Sequence, residues 1–269
     1  MLEQLLNTII LGLIQGLAEW LPVSSTAHLR IAEHFLVDLT TTPSLPFLNI
    51  ILHVGTLIVV VFFFRKEVKN ILSALAHLDF KSEYGQLVPF IIVATIPTAI
   101  IGLFYVKFLE DTLQTILAIG ITFLVGATIV YTSKIGKENT DTITYTTALI
   151  MGAAQGLAIF PGLSRSGITI STALLLGLKR EKAFKFSFIL SIPAIIGDLG
   201  VEAYKQRGQL VISGIGPLEL LAGIAVTMIA GYVAIKLVSK IVASKKFHYF
   251  AIYTGLLGIA LIILSLRGF

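Results

Sequence analysis

Residues 5–28 read LLNTIILGLIQGLAEWLPVSSTAH, and residues 147–167 read TALIMGAAQGLAIFPGLSRSG. Each is an apolar run that carries a polar amide, breaks at a proline and continues through hydroxyl residues. The first, 5–20, holds Gln15 and Glu19 and breaks at Pro22, before Ser24, Ser25, Thr26 and His28. The second, 147–160, holds Gln155 and breaks at Pro161-Gly162, before Ser164, Arg165, Ser166 and Gly167; a short apolar run then reaches Leu178. Gln15-Gly16-Leu17-Ala18 recurs as Gln155-Gly156-Leu157-Ala158, and Ser24 falls on Ser164 at the same offset. No arm supplies the roughly 20 apolar residues that cross a hydrocarbon core. The pattern predicts two re-entrant helical hairpins. Such backbone is tolerated at membrane depth only where protein or a water-filled cavity surrounds it.

Outward from these segments lie six long apolar runs, at 47–64, 87–106, 113–131, 184–201, 210–235 and 247–266. Each is close to the length of a full span. Composition agrees. Of 269 residues, 56% are hydrophobic and 13% charged, against about 25% charged in soluble proteins, and the mean hydropathy is +0.93. A soluble globular enzyme and a disordered chain are both excluded. The net charge of +5 fits basic loops beside a membrane better than nucleic-acid binding. There are no cysteines, which removes disulfides, cysteine-zinc sites and thiol catalysis. Met1-Leu2-Glu3-Gln4 lacks a basic leader, so the first apolar run is expected to belong to the mature protein.

Each half then holds one hairpin and three spans. Three is odd, so the second half is expected upside down relative to the first. That is an all-α polytopic membrane protein in an inverted-topology repeat, with a site near the midplane between repeats. It forms a single membrane domain, 1–269, with repeats 1–139 and 140–269. The loop charges give an independent check. Arg65, Lys66, Lys69, Lys81, Lys134, Lys137, Lys179, Arg180, Lys182, Lys185, Lys236, Lys240, Lys245 and Lys246 share one side. Lys107, Lys205, Arg207 and Arg267 take the other, and Arg30 and Arg165 stay with the hairpins. The basic side is expected to be cytoplasmic. Both termini then lie outside; the first hairpin enters from outside and the second from the cytoplasm.

Ionisable groups at membrane depth cost roughly 2.5–3.5 kcal/mol on insertion scales, so each is a candidate functional residue. Gln15 and Glu19 are four apart and share a helix face. Ser24 can cap a new helix whose first turn carries Ser25 and Thr26, with Ser25 and His28 on one face. Ser164 can cap another. Free N–H groups at both helix starts suit phosphate, and Arg165 offers a planar fork for bidentate contact. Plainer readings exist: Glu19 and Arg165 as a structural ion pair, His28 as a core histidine, the serines as caps, Gln15 and Gln155 as helix cross-links. His53, Asn49 and Asp198 sit in predicted spans and read more readily as polar helix contacts. The co-occurrence of carboxylate, hydroxyl, histidine and arginine in two hairpins expected to meet favours a site.

At these hairpins the chain resembles a known family. Glu19-Trp20-Leu21-Pro22-Val23-Ser24-Ser25-Thr26-Ala27-His28 is similar to the first signature of the undecaprenyl-diphosphate phosphatases linked to bacitracin resistance, and Pro161-Gly162-Leu163-Ser164-Arg165-Ser166-Gly167 to the second. Gln15 and Glu19 match the family's Glu/Gln-x-x-x-Glu element, and Ala27 stands where the family usually has glycine. The resemblance implies hydrolysis of a polyprenyl diphosphate to the monophosphate and phosphate, recycling a lipid carrier for cell-wall and surface glycans. It implies a site open to the outer face of the plasma membrane, a divalent cation (Mg²⁺ or Ca²⁺) with no organic cofactor, and homodimers. In that chemistry Arg165 and the helix starts, with Ser24, Thr26, Ser164, Ser166 and Gly167, would hold phosphates. Ser25 would attack with His28 as base or later acid, or would position a water. Glu19, with Gln15 beside it, would bind the metal or act as base. The rival class is a transporter or scramblase for a phosphorylated lipid, for which broken helices in inverted repeats are equally apt.

Overall fold

The computed structural model describes residues 2–35, 45–110, 112–207 and 215–267. The helices within them are α1 (Leu2–Trp20), α2 (Ser25–Phe35), α3 (Leu45–Phe63), α4 (Arg65–Ala76), α5 (Leu87–Phe108), α6 (Ile116–Thr132), α7 (Tyr145–Leu157), α8 (Arg165–Leu175), α9 (Arg180–Lys205), α10 (Pro217–Ala243) and α11 (Phe250–Leu266). Among the described residues there is no strand, and a single bridge joins Thr140 to Leu178.

Six helices are long and apolar enough to cross a bilayer: α3, α5, α6, α9, α10 and α11. They coincide with the six apolar runs, with corrected ends. The third span starts at Ile116 rather than 113, because the Thr115 hydroxyl accepts from the Ala118 N–H and caps it. The fifth starts at Pro217 rather than 210, a proline in the first turn being pre-set for a helix start; positions 210–214 of the expected run lie outside the described residues. α9 and α10 extend through polar turns that a run of apolar letters does not count.

The first hairpin arm also differs from expectation. α1 has 19 residues, about 28 Å at 1.5 Å per residue, so it is not too short to cross. It departs from a span in polarity, through Glu3, Gln4, Asn7, Gln15 and Glu19. α2, α7 and α8, of 11, 13 and 11 residues, reach about 16–20 Å, well short of a ~30 Å core.

The largest helix contacts are α1 on α10, α6 on α11 and α5 on α7, followed by α3 on α10, α1 on α2 and α3 on α9. Lipid tails are as apolar as leucine, so contact between helices rests on close packing and interhelical hydrogen bonds. Gly12 and Gly152 make the close approaches. A Cβ on Gly12 would sit 2.8 Å from the Gly223 carbonyl oxygen of α10, and one on Gly152 would collide with the Ala94 backbone of α5. Each approach is tied by a threonine. Thr227 Oγ1 donates to the Gly12 carbonyl at 3.0 Å, and Thr98 Oγ1 to the Gly152 carbonyl at 2.8 Å.

The two polar breaks meet. Ser24 Oγ accepts from the Gly162 N–H at 3.1 Å, while Ser164 Oγ and Ser166 Oγ donate to the Leu21 carbonyl at 3.3 and 3.2 Å. Gly162 has φ +99°, and a Cβ there would lie 2.8 Å from the Ile119 carbonyl oxygen, so only glycine fits. Beside the junction Trp20 stacks on Phe188 with ring centroids 5.2 Å apart, inside the largest apolar cluster.

Candidate functional site

Glu19 ends α1 one residue before Trp20, and Ser25 begins α2. The break between them folds the chain back so that Ser25 Oγ donates to Glu19 Oε2 at 2.6 Å. Gln15, one turn below, donates to the same oxygen through Nε2 at 3.1 Å. Arg165, first residue of α8, reaches across the junction with Nη2 on Glu19 Oε1. The carboxylate therefore accepts from three donors, and it is 8% exposed. The Arg165 guanidinium lies over the Trp20 ring, 5.3 Å from its centroid, and its Nη1 is buried without a partner.

The pair borders a cavity of about 1010 Å³. It is lined by the buried Glu19, Ser24, Ser25 and Ser164, by Arg165 and the exposed Thr26, and by Ala99, Gly102, Leu103 and Val106 of α5 and Ile116 of α6. The N-terminal ends of both α2 and α8 open on it. They are not equivalent. Ser164, with φ −78° and ψ 124°, caps α8 by accepting from the Gly167 N–H at 3.2 Å. Ser24 has φ +69° and spends its hydroxyl on Gly162, so the expected cap on α2 is replaced by a bond between the two breaks. Gly167 supplies its N–H to that cap and does not border the large cavity. Ser166 lines a small separate pocket with Trp20, Arg165, Thr169, Ser187, Phe188 and Ser191.

His28 goes elsewhere. Its Nδ1 lies 2.8 Å from the Ser24 carbonyl and so carries the proton, and its Nε2 lies 2.7 Å from the Tyr253 hydroxyl of α11. The ring is flanked by Phe123 and Tyr253 and does not line the cavity. The expected Ser25–His28 pairing is thus absent. Three positions along a helix bring two residues near one face, but side-chain direction decided otherwise: the hydroxyl found the carboxylate on α1 first. Gln15 does not line the cavity either; it supports Glu19 from behind, with Oε1 buried and unpartnered.

Residues read as helix contacts do line the cavity. His53 Nδ1 is held 2.8 Å from the Asn49 carbonyl, and its Nε2 lies 4.0 Å from Glu19 Oε2. Asp198 is within electrostatic reach of His53, Glu19, Glu202 and Arg165. Arg30 also lines the cavity. The rule that singled out Glu19, an ionisable group at membrane depth, applied equally to these three.

The cavity is lined by five carboxylates, Glu19, Glu33, Glu110, Asp198 and Glu202, against three Arg or Lys, Arg30, Arg165 and Lys205. A surplus of carboxylate oxygens in one hollow is a donor set suited to a hard divalent cation that also takes phosphate oxygens. Among the described residues, however, no three His, Asp or Glu side chains cluster closely enough to hold a metal by themselves; Glu19 and Asp198 line the cavity and Gln15 does not.

The family described as bacitracin resistance protein BacA matches residues 8–260 of this chain. An undecaprenyl-diphosphatase of Carboxydothermus hydrogenoformans is 37% identical over 267 residues, 97% of this chain and 98% of its own. One from Methanosphaera stadtmanae is 39% identical over 284 residues, with 97% and 98% coverage. Undecaprenyl-diphosphatase 3 of Bacillus cereus is 37% identical over 267 residues, covering 97% of each.

Proposed function

This chain belongs to the bacitracin resistance protein BacA family, and from that premise we infer that it is an undecaprenyl-diphosphatase. It hydrolyses undecaprenyl diphosphate to the monophosphate and inorganic phosphate, which returns the lipid carrier to glycan synthesis. The observation that carries this reading is one contact: a serine hydroxyl, at a helix start, donating to a buried carboxylate that an arginine crosses over to meet. Release of phosphate from undecaprenyl diphosphate by the purified protein tests it, and lipid movement without phosphate release would refute it.

The mechanism follows from these contacts. The terminal phosphate sits between the N-terminal ends of α2 and α8, where free N–H groups and the helix dipoles favour anions. Arg165 turns its fork from Glu19 to that phosphate, and the unpartnered Nη1 gains an acceptor. Glu19, released from its counter-ion, becomes the stronger base and takes the Ser25 proton across the existing 2.6 Å bond. Ser25 Oγ attacks the terminal phosphorus, and the bond from phosphorus to the bridging oxygen breaks, so the lipid leaves as the monophosphate. Water then releases phosphate from Ser25, with Glu19 returning the proton to Oγ. His28 fixes the turn that presents Ser25, clamped between the Ser24 carbonyl and Tyr253. A divalent cation bound together with the diphosphate would take Asp198 as its carboxylate, leaving Glu19 free as the base, and would supply further charge neutralisation.

The same reading places both helix pairs as re-entrant hairpins and the halves 1–139 and 140–269 as inverted repeats. The packing supports it. If α1, α3 and α5 are exchanged for α7, α9 and α10, the α1–α10 contact becomes α7–α5 and the α3–α10 contact becomes α9–α5, both of which occur. The Thr227–Gly12 bond becomes Thr98–Gly152. With the basic loops cytoplasmic, the cavity opens to the outer face of the plasma membrane.

A further inference from the structure

Charge bookkeeping along the cavity wall singles out one residue that the chemistry above leaves unused. Three Arg or Lys side chains line the cavity. Arg165 is engaged by Glu19, and Lys205 Nζ lies 2.6 Å from Glu110 Oε2. Arg30 has no carboxylate within ion-pair distance among the described residues. Its Nη1 donates to the neutral Gln114 Oε1 at 3.0 Å, and its Nε is buried without a partner. The side chain is half-buried, and a guanidinium with a buried, unpartnered N–H is costly unless an acceptor joins it.

Its position says which anion. Arg30 lies five residues beyond Ser25 on α2, about 7.5 Å along the axis at 1.5 Å per residue. It shares a face with Thr26, four residues before it, which also lines the cavity. Gln114 precedes α6, in the link from α5, so Arg30 stands at the rim of the cavity while Ser25 stands in its depth. A prenyl diphosphate with its terminal phosphate at Ser25 and its tail leaving through the rim carries its lipid-side phosphate past Arg30.

We propose that Arg30 is the binding residue for the lipid-side phosphate of the substrate, the group that becomes the monophosphate product. The proposal rests on the assignment of Ser25, Glu19 and Arg165 to the reacting phosphate. Arg30 grips the part of the substrate that does not change valence, so it contributes equally to ground and transition states and acts on KM rather than kcat.

The test is steady-state phosphate release with Arg30→Gln, Arg30→Lys and Gln114→Leu, each checked by gel filtration in detergent. Arg30→Gln is expected to raise KM by about 10- to 100-fold, the worth of a hydrogen bond to a charged group, with kcat within a few-fold. Arg30→Lys, which keeps the charge, is expected to recover most of that loss. Gln114→Leu, which removes the neutral partner, is expected to leave KM within a few-fold. Product inhibition separates the two phosphates: Arg30→Gln should weaken inhibition by a polyprenyl monophosphate and leave inhibition by inorganic phosphate unchanged. An unchanged KM in Arg30→Gln, or a weakened inhibition by inorganic phosphate alone, would overturn the proposal. If Ser25→Ala and Arg165→Ala also turned over normally, the site assignment beneath it would fail instead, so the two failures are distinguishable.

Discussion

Replacing Glu19 by glutamine keeps volume and shape and removes one charge. The present carboxylate accepts Arg165 on one oxygen and both Ser25 and Gln15 on the other. A glutamine amide has one oxygen, so whichever way it turns, its NH₂ faces a donor. The Arg165 and Glu19 side chains are 15% and 7% exposed, and breaking a pair this buried leaves an uncompensated charge at about 3 kcal/mol. For a chain of this size that corresponds to a melting temperature roughly 6–12 °C lower. The catalytic loss is separate: without the base on Ser25, phosphate release is expected to fall by about 10²–10⁴-fold. Glu19→Gln combined with Arg165→Gln removes both charges and is expected to recover most of the stability but none of the activity. The assay is phosphate release on undecaprenyl diphosphate in detergent, alongside thermal unfolding followed by gel filtration. A double variant that is both stable and active would mean that the pair only holds helices together, and the mechanism would be wrong.

Three further outcomes are expected. Ser25→Ala should lose turnover almost completely, whereas His28→Gln, which disturbs only the turn, should retain measurable turnover; phosphate release on both, with Ser25→Ala retaining wild-type rates as the refuting result, decides between nucleophile and bystander. Single cysteines at positions 139 and 206 in this cysteine-free chain should label from the cytoplasm and from outside, respectively; the reverse pattern with an impermeant reagent would invert the topology. Gly152→Val drives a side chain into the Ala94 backbone, and overpacking there should cost about 1–3 kcal/mol, visible as earlier thermal unfolding, while an unchanged melting curve would show that α5 and α7 can part freely.

Much of the fold was legible because membrane spans are written as uninterrupted apolar letters. All six spans were found that way; the ends were misjudged where polar turns extend a helix beyond the hydrocarbon, as at Arg180 and Ala243, and where a cap or a proline starts the helix inside the apolar run, as at Ile116 and Pro217. The same counting misjudged α1, whose length is hidden by Glu3, Gln4 and Asn7. In the site, Glu19, Ser25 and Arg165 were recoverable from their breaks and spacing. The direction of His28 was not, since it depends on Tyr253, 225 residues away. Nor was Ser24's positive φ, which accompanies a bond to Gly162 in the other half. His53, Asp198 and Arg30 were visible as ionisable residues, but only the shape of the cavity distinguishes lining it from bracing a neighbour.

The pairing of α1 with α10 has a consequence for how the molecule is made. The Thr227–Gly12 bond joins residues 215 apart, and Arg165 follows Glu19 by 146. At about 5–20 residues per second, the first helix waits on the order of 10–40 s for its partner to emerge from the ribosome. Throughout that interval its glycine face is bare, and for about the first 7–30 s of it Glu19 has no Arg165 to pair with. The nascent half-chain is therefore a natural client for whatever shelters polar helices during insertion, and a chain cut short before α8 cannot assemble the phosphate-cleaving centre at all.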